Sequence, residues 1–155
     1  MFRLGKLTTV FVLLSLVLLV KASPFVNPNR NFDEVGDIGC ESEMARLDNF
    51  AIHLQQEPTM KGVIIFYGGR VRGRLPKRGE AAARAARLKP YLVDRRGIPA
   101  DHVTVINGGY AKDWHVELWV IPLEMTPPDP RPTIPIEKVR FRKGKVRARD
   151  YRCQI

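Results

Sequence analysis

A short apolar run at residues 60–67, MKGVIIFY, constrains the fold more than any other feature of the sequence. It has the length of a strand and is rich in β-branched and aromatic residues, which favours a central strand covered on both faces. The preceding segment, 41–56, carries apolar residues at three- and four-residue steps, at Met44, Leu47, Ala51 and Leu54. This period predicts a helix, which Pro58 ends.

A second helix is predicted after the apolar run, from Pro76 or Lys77 to Val93, because alanines supply helix propensity there. Pro90 lies inside it and predicts a kink or a tightened last turn, since proline lacks a backbone donor. Shorter strands are predicted at the remaining apolar segments, 32–39, 103–106 and 116–121. The order is strand, helix, strand, helix, strand, strand, which predicts an α/β (α+β) sandwich with helices packed on a sheet.

The N-terminus has the order of a secretory signal peptide: basic Arg3 and Lys6, an apolar run over 10–20 and small residues before position 23. We therefore expect residues 1–22 to be removed and the protein to be exported. The alternative is an uncleaved membrane anchor. Against it, the stretch between Lys6 and Lys21 spans only about 21 Å of helix, compared with roughly 30 Å of hydrocarbon.

Removal of residues 1–22 takes away three basic residues and no acid, so the formal net charge falls from +10 to +7 and the chain stays basic. The remainder, roughly 130 residues, suffices for one domain. We expect an irregular lead-in over 23–31, the α/β domain over 32–122, a stiff proline-rich linker over 123–135 and a basic tail over 136–155. A small hairpin about Gly144 is one conformation open to the tail.

Cys40 and Cys153 are the only cysteines and lie near opposite ends of the mature chain. In an oxidising compartment two cysteines can form a disulfide, which here would close a long loop. The alternative is two unpaired thiols, one buried and one on the tail.

Residues 32–122 resemble the OmpA-like C-terminal domain, the peptidoglycan-associating module of bacterial envelope proteins. The resemblance lies in FDEVGDI, in LDNFAIHLQQEP leading to VIIFYGG, in GEAAARAARLKPYLVDRRGIPADHVTVINGG and in VELWVIP. Its most telling part is the RA(x5)YL(x4)GI pattern at Arg84-Ala85, Tyr91-Leu92 and Gly97-Ile98. The resemblance implies a β-α-β-α-β-β order, a mixed sheet with two helices packed on it, and a location in the periplasm or at the outer membrane.

The resemblance also implies a ligand site. Members of that family grip the diaminopimelate stem peptide of peptidoglycan with one aspartate after the central strand and one arginine on the next helix, whose place Arg84 takes. A carboxylate suits the ligand's ammonium group, and an arginine fork suits its carboxylate. The aspartate's place, 69–71, holds no acid, and no acid occurs between Pro58 and Gly79.

A basic loop over 68–78 stands there instead, beyond the expected end of the central strand. Together with Arg84, its candidate ligand-binding residues are Gly68, Gly69, Arg70, Arg72 and Arg74. The glycines are interpreted as a source of flexibility and the arginines as ligands for an anion such as a glycan carboxylate or a phosphate. The alternatives are a solvated charged loop, and an Arg84 that pairs with an acid of the domain itself.

No catalytic group is expected in this chain. His53, His102 and His115 lack the spacing of a metal site, no serine lies in GxSxG, and neither cysteine has a catalytic motif. We therefore expect no enzyme activity, no metal and no cofactor, and no nucleic-acid partner for an exported protein.

The sequence thus predicts an exported, non-enzymatic envelope-binding or scaffold module that contacts peptidoglycan or an envelope protein. The alternative is a protein-interaction domain without peptidoglycan binding. In that case the basic tail would dock on an acidic partner or an anionic membrane surface.

Overall fold

Four strands form one mixed sheet in the order β1-β4-β2-β3. The computed structural model describes residues 31–151 and 153, and its strands are β1 (Asp33–Val35), β2 (Met60–Arg70), β3 (Val103–Asp113) and β4 (His115–Pro122). β2 is parallel to β3, whereas β4 is antiparallel to both β1 and β2. With the helices packed on this sheet, the predicted α+β sandwich is confirmed.

The first helix, α1 (Cys40–Gln56), matches the helix predicted over 41–56. The second helical segment is broken into α2 (Glu80–Ala85), α3 (Leu88–Pro90) and a π-helical turn (Tyr91–Arg95). It begins later than predicted because Gly79 has a left-handed φ of 81°. The turn after Pro90, which cannot donate to the helix, is wider rather than tighter. Single 3₁₀ turns lie at Ala100–His102, Ile136–Lys138 and Ala148–Tyr151.

Both faces of β2 are buried, as the sequence predicted for a central strand. Ile64 and Phe66 face the helices and join the main core, whose larger members include Leu47, Phe50, Leu54, Leu88, Leu92 and Leu118. Side chains alternate along a strand, so Val63, Ile65 and Tyr67 belong to a second buried cluster on the opposite face. β4 contributes to both clusters in the same alternating way.

The predicted proline-rich linker packs against the domain. The backbone N–H groups of Thr133 and Ile134 both donate to the carbonyl oxygen of Tyr110 in β3, each at 3.0 Å. The backbone N–H of Arg131 donates to the Tyr67 hydroxyl at 3.1 Å. The segment therefore partners the edge and the second face of the sheet.

The hairpin considered about Gly144 is wrong for the described residues of the tail. Instead, the backbone N–H of Arg142 donates to the carbonyl oxygen of Pro76 at 3.0 Å, and a parallel bridge joins Lys77 to Arg142. Because these backbone groups pair with the loop before α2, they are not available for pairing within the tail.

The disulfide between Cys40 and Cys153 is present, with the two Cα atoms 5.6 Å apart. This separation lies in the usual range for a disulfide. The bond fixes the end of the tail to the first residue of α1.

The signal peptide predicted over 1–22 and the lead-in up to residue 30 lie outside the described residues. Within the part of the chain that the structure describes, no helix combines the length and the apolar character needed to cross a membrane.

A small polar network joins α1 to the π-helical turn. Arg96 donates two hydrogen bonds of 2.6 Å to the carboxylate of Asp48, and the Tyr91 hydroxyl donates a third, also at 2.6 Å. Partial burial would raise the pKa of Asp48, but the hydrogen bonds outweigh it, so this pKa lies below its ordinary value.

Replacing Asp48 with asparagine should lower the free energy of unfolding at pH 7 by about 0.5–1 kcal/mol, because the ion pair is partly exposed. The folded-state pKa is depressed, so the contribution is complete above the unfolded-state value of about 3.9 and is lost as pH falls through the folded-state value. Urea unfolding of both proteins at pH 7 and near pH 2.5 tests this. A difference in stability of equal size at both pH values would contradict it.

Candidate functional site

Two loops that are distant in sequence meet at one edge of the sheet. β1 and β2 run in the same direction because both are antiparallel to β4, so the loops that follow them, 36–39 and 71–79, emerge together. With α2 and the tail they enclose a cavity of about 500 Å³, here called the charged cavity. Its polar lining includes Asp37, Arg72, Arg74, Glu80, Arg84 and Tyr151.

Arg84 projects from α2 into this cavity, and its side chain is only 15% exposed. Its Nη1 donates to Asp37 Oδ1 at 3.3 Å, and its Nε lies 3.6 Å from Glu80 Oε1. The guanidinium also lies over the rings of Tyr151 and Trp114, at 5.2 and 5.7 Å from their centroids. Arg84 therefore pairs with acids of its own domain, which is one of the alternatives drawn from the sequence. It also faces a cavity.

Three polar atoms around Arg84 are buried without a hydrogen-bond partner among the described residues. They are Asp37 Oδ2, Arg84 Nε and Trp114 Nε1. Arg72 Nε comes within 3.7 Å of Asp37 Oδ2, which is an ionic contact but too long for a hydrogen bond. Buried polar atoms are normally paired, and each unpaired one costs about 1–3 kcal/mol. A ligand that brought hydrogen-bonding groups of opposite charge to these atoms would remove this free-energy cost.

The tail and a buried acid complete the wall of the charged cavity. Glu80 is 3% exposed. Its Oε2 accepts a hydrogen bond from the backbone N–H of Lys77 at 2.8 Å and lies 3.5 Å from Nη2 of Arg142. Burial and the nearby Glu80 carboxylate raise the pKa of Tyr151. The tail thus places one cation, one acid, Asp150, and one aromatic ring in the site.

The loop after β2 contains a tight turn that presents Arg72. Val71 and Arg74 exchange two backbone hydrogen bonds, of 3.0 and 2.9 Å, across Arg72 and Gly73. Both central residues have positive φ, 49° and 72°, as in the two-residue turns that join hairpin strands. A positive φ is uncommon for arginine and is often kept where a side chain must be aimed at a functional site.

Gly68, Gly69 and Arg70 do not line the charged cavity, because β2 runs to Arg70 instead of ending at the glycines. A Cβ at Gly68 would meet the Tyr110 ring, and one at Gly69 would collide with the backbone of Asp113. Gly68 and Gly69 therefore lie in a paired strand and are not a source of loop flexibility, although Gly69 and Arg70 line a separate, smaller cavity. The two glycines allow β3 to pack closely against β2, whereas Arg72, Arg74 and Arg84 do come together.

Asp37 is the site residue that the sequence analysis missed. It lies two residues after β1, in the string FDEVGDI. The available signal was topological: parallel strands bring the loops at their carboxyl ends to one edge, so an acid after β1 can face a helix that follows β2. Tyr151 was missed too, although a disulfide from Cys153 to Cys40 carries it to the same place.

The histidines are dispersed in the structure. His115 stacks on Tyr67 with ring centroids 4.5 Å apart, and His53 packs on Phe32 with centroids 5.2 Å apart. Over residues 31–151 and 153, no group of three or more His, Cys, Asp or Glu side chains is arranged to hold a metal ion. The expectation of a protein without metal or enzyme activity stays a prediction.

Comparison with known proteins adds no relative from which a role could be transferred. No protein-family model matches the sequence, and no curated protein matches it. The function must be inferred from the geometry and charge of the site.

Proposed function

We propose that the protein is an exported, non-enzymatic envelope-binding module of the OmpA-like kind, whose charged cavity holds the zwitterionic part of a peptidoglycan stem peptide. One observation carries the proposal. Asp37 and Arg84 lie 3.3 Å apart in a cavity of about 500 Å³, and each keeps a buried polar atom without a hydrogen-bond partner among the described residues.

The lining of this cavity suits a ligand that carries both charges. A ligand's ammonium group can pair with the Asp37 carboxylate, while its carboxylate can accept from Arg84 and Arg72. Acids and arginines together disfavour a simple anion, which Asp37 and Glu80 would repel. The volume is in the range of about 300–1,000 Å³ that is usual for small-ligand pockets.

The resemblance to OmpA-like domains supports the same proposal. The β-α-β-α-β-β order agrees with the order that the resemblance implies, and Arg84 lies on the helix that follows the central strand. In the proposed site Asp37 replaces the family's missing aspartate, from the loop after β1 rather than the loop after β2. The ligand would then still be bound by one acid and one arginine, although the acid comes from a different position in the sequence.

Co-sedimentation with purified cell-wall sacculi tests this function. We expect the disulfide-bonded protein to pellet with sacculi, and free diaminopimelate to release it. Asp37→Asn and Arg84→Ala should each weaken retention about tenfold or more, because each removes a charged hydrogen-bonding partner. Arg95→Ala is the matched control, since it removes one positive charge at an exposed position outside the cavity.

Thermal unfolding of each variant shows whether it is folded at the assay temperature. Failure of the wild type to pellet, or equal retention of Arg84→Ala and Arg95→Ala, would show that the charged cavity is not a peptidoglycan site.

A second candidate function is docking on an anionic membrane surface through the tail, which is favoured by the exposure of Lys143, Lys145 and Arg147. Deleting 136–155 would not test it cleanly, because the deletion also removes Cys153 and Tyr151. Joint substitution of Lys143→Glu and Lys145→Glu preserves both. Envelope retention that survives Arg84→Ala but is lost in this double variant would favour the second candidate.

A further inference from the structure

A second cavity, of about 140 Å³, lies where β2 and β3 end beside the tail. We call it the basic cavity. Among the described residues, its lining includes the cationic Arg70, Lys112, Lys138 and Arg140, and no acidic residue. Apolar and aromatic residues, among them Leu75, Tyr110 and Ile134, complete the wall. None of its lining residues lines the charged cavity.

The four cations of the basic cavity form no ion pair with an acid among the described residues, since none of them has an acidic partner within 4.0 Å. Asp113, which lies opposite Arg70 across the two strands and next to Lys112 in sequence, does not line the cavity, and neither does Glu137. Like charges repel one another. An anion bound among these four cationic residues is attracted to each of them and also reduces their mutual repulsion.

The backbone segments that carry these cations are held by contacts outside the cavity. Arg70 and Lys112 belong to the paired strands β2 and β3. On the tail side, Arg142 Nε donates to the carbonyl oxygen of Leu75 at 2.8 Å, close to Lys138 and Arg140 in sequence. Phe141 is held between the Tyr110 ring and the guanidinium of Arg78. The fold therefore brings the residues that carry these four charges to one cavity.

We propose that the basic cavity binds a phosphoryl group, as a phosphomonoester or a diphosphate. The volume lies below the range of about 300–1,000 Å³ that accommodates drug-sized ligands, so it suits a single compact group. Arginine forks and lysine ammonium groups are the usual protein ligands of phosphate, and the absence of an acid from the lining favours a multiply charged anion over a zwitterion. A lipid headgroup and a soluble phosphate both present this chemistry.

Titration of the disulfide-bonded protein with pyrophosphate at constant ionic strength, followed by calorimetry, tests the site. We expect saturable binding of one pyrophosphate per chain, with sulfate binding more weakly. Lys138→Gln and Arg140→Gln should each weaken binding about tenfold or more, because each removes a charged hydrogen bond. The matched controls are Lys143→Gln and Arg149→Gln, which remove the same charge from the same tail outside the basic cavity. They should change affinity less than about twofold, as expected for screened charges at a distance.

Vesicles separate the two sources of phosphate. If the ligand is a lipid headgroup, phosphatidate vesicles should retain the wild type and lose Lys138→Gln, and pyrophosphate should compete. If the ligand is soluble, pyrophosphate binding should depend on Lys138 while vesicle binding does not. Either result supports the proposal.

No saturable pyrophosphate binding by the wild type, or equal losses in the cavity variants and the controls, would overturn the proposal. Lys138 is exposed in a single 3₁₀ turn, so its substitution leaves the core untouched. Arg84→Ala should leave pyrophosphate affinity unchanged, which separates the failure of this site from the failure of the charged cavity.

Discussion

Replacing Arg87 with alanine should lower the free energy of unfolding by about 3–5 kcal/mol, because it leaves a buried carboxylate without its partner. Glu43 is 5% exposed on α1. Arg87 forms a two-pronged ion pair with it, Nε to Oε1 at 2.7 Å and Nη2 to Oε2. Arg87 Nη1 also donates to the carbonyl oxygens of Arg84 and Tyr151, at 2.9 and 2.8 Å. One side chain therefore joins both helical segments to the tail.

Urea unfolding at pH 7 measures the loss in Arg87→Ala, and Arg46→Ala is the control. Arg46 also forms a close ion pair, at 2.6 Å from Asp33, but its side chain is 44% exposed, so we expect a loss of at most about 1 kcal/mol. Joint substitution of Glu43→Leu and Arg87→Met should recover much of the stability, since no buried charge then remains unpaired. Similar losses in Arg87→Ala and Arg46→Ala would contradict the role given to this pair.

The elements that were predicted correctly are those whose signal is local. The helical period of Met44, Leu47, Ala51 and Leu54 sufficed for α1, and the run 60–67 sufficed for a doubly buried β2. The prediction of one long second helix was wrong because it depended on alanine propensity. Gly79, with its left-handed φ, and Pro90 set the local conformation there and override propensity.

The site could be predicted only in part, because its residues meet through tertiary structure. Arg84 was found through a resemblance, and Arg72 and Arg74 through a run of charge. Glu43 and Glu80 look like ordinary helix-surface acids in sequence, yet both are buried. Arg87, the partner of Glu43, lies 44 positions further along the chain, and Arg142, a partner of Glu80, lies 62 positions further. No local sequence pattern indicates such pairs.

The contacts of the tail also could not be predicted from a local pattern. Its cations suggested one surface that docks on an acidic partner or an anionic membrane, whereas the structure divides them between two cavities and an exposed remainder. Arg142 contributes to the charged cavity, while Lys138 and Arg140 contribute to the basic cavity. The division follows from the backbone contacts with Pro76 and Tyr110 and from the disulfide, none of which a charge pattern encodes.

Joint replacement of Cys40 and Cys153 by serine should lower the free energy of unfolding by about 4–5 kcal/mol if chain entropy dominates, because the bond closes a loop with a sequence separation of 113 residues. Tyr151, which covers Arg84 and accepts a hydrogen bond from Arg87, would also lose its anchor two residues away.

Two measurements check the role of the disulfide. Urea unfolding of wild type and double variant gives the stability difference, and reductant should destabilise the wild type while leaving the double variant unchanged. Arg87→Ala should cost less in the double variant than in the wild type, because residues that share a contact do not act additively. Equal stability of the wild type and the double variant without reductant would contradict this role. The tail would then be held by its ion pairs and backbone contacts alone, and access to Arg84 would not depend on the redox state of Cys40 and Cys153.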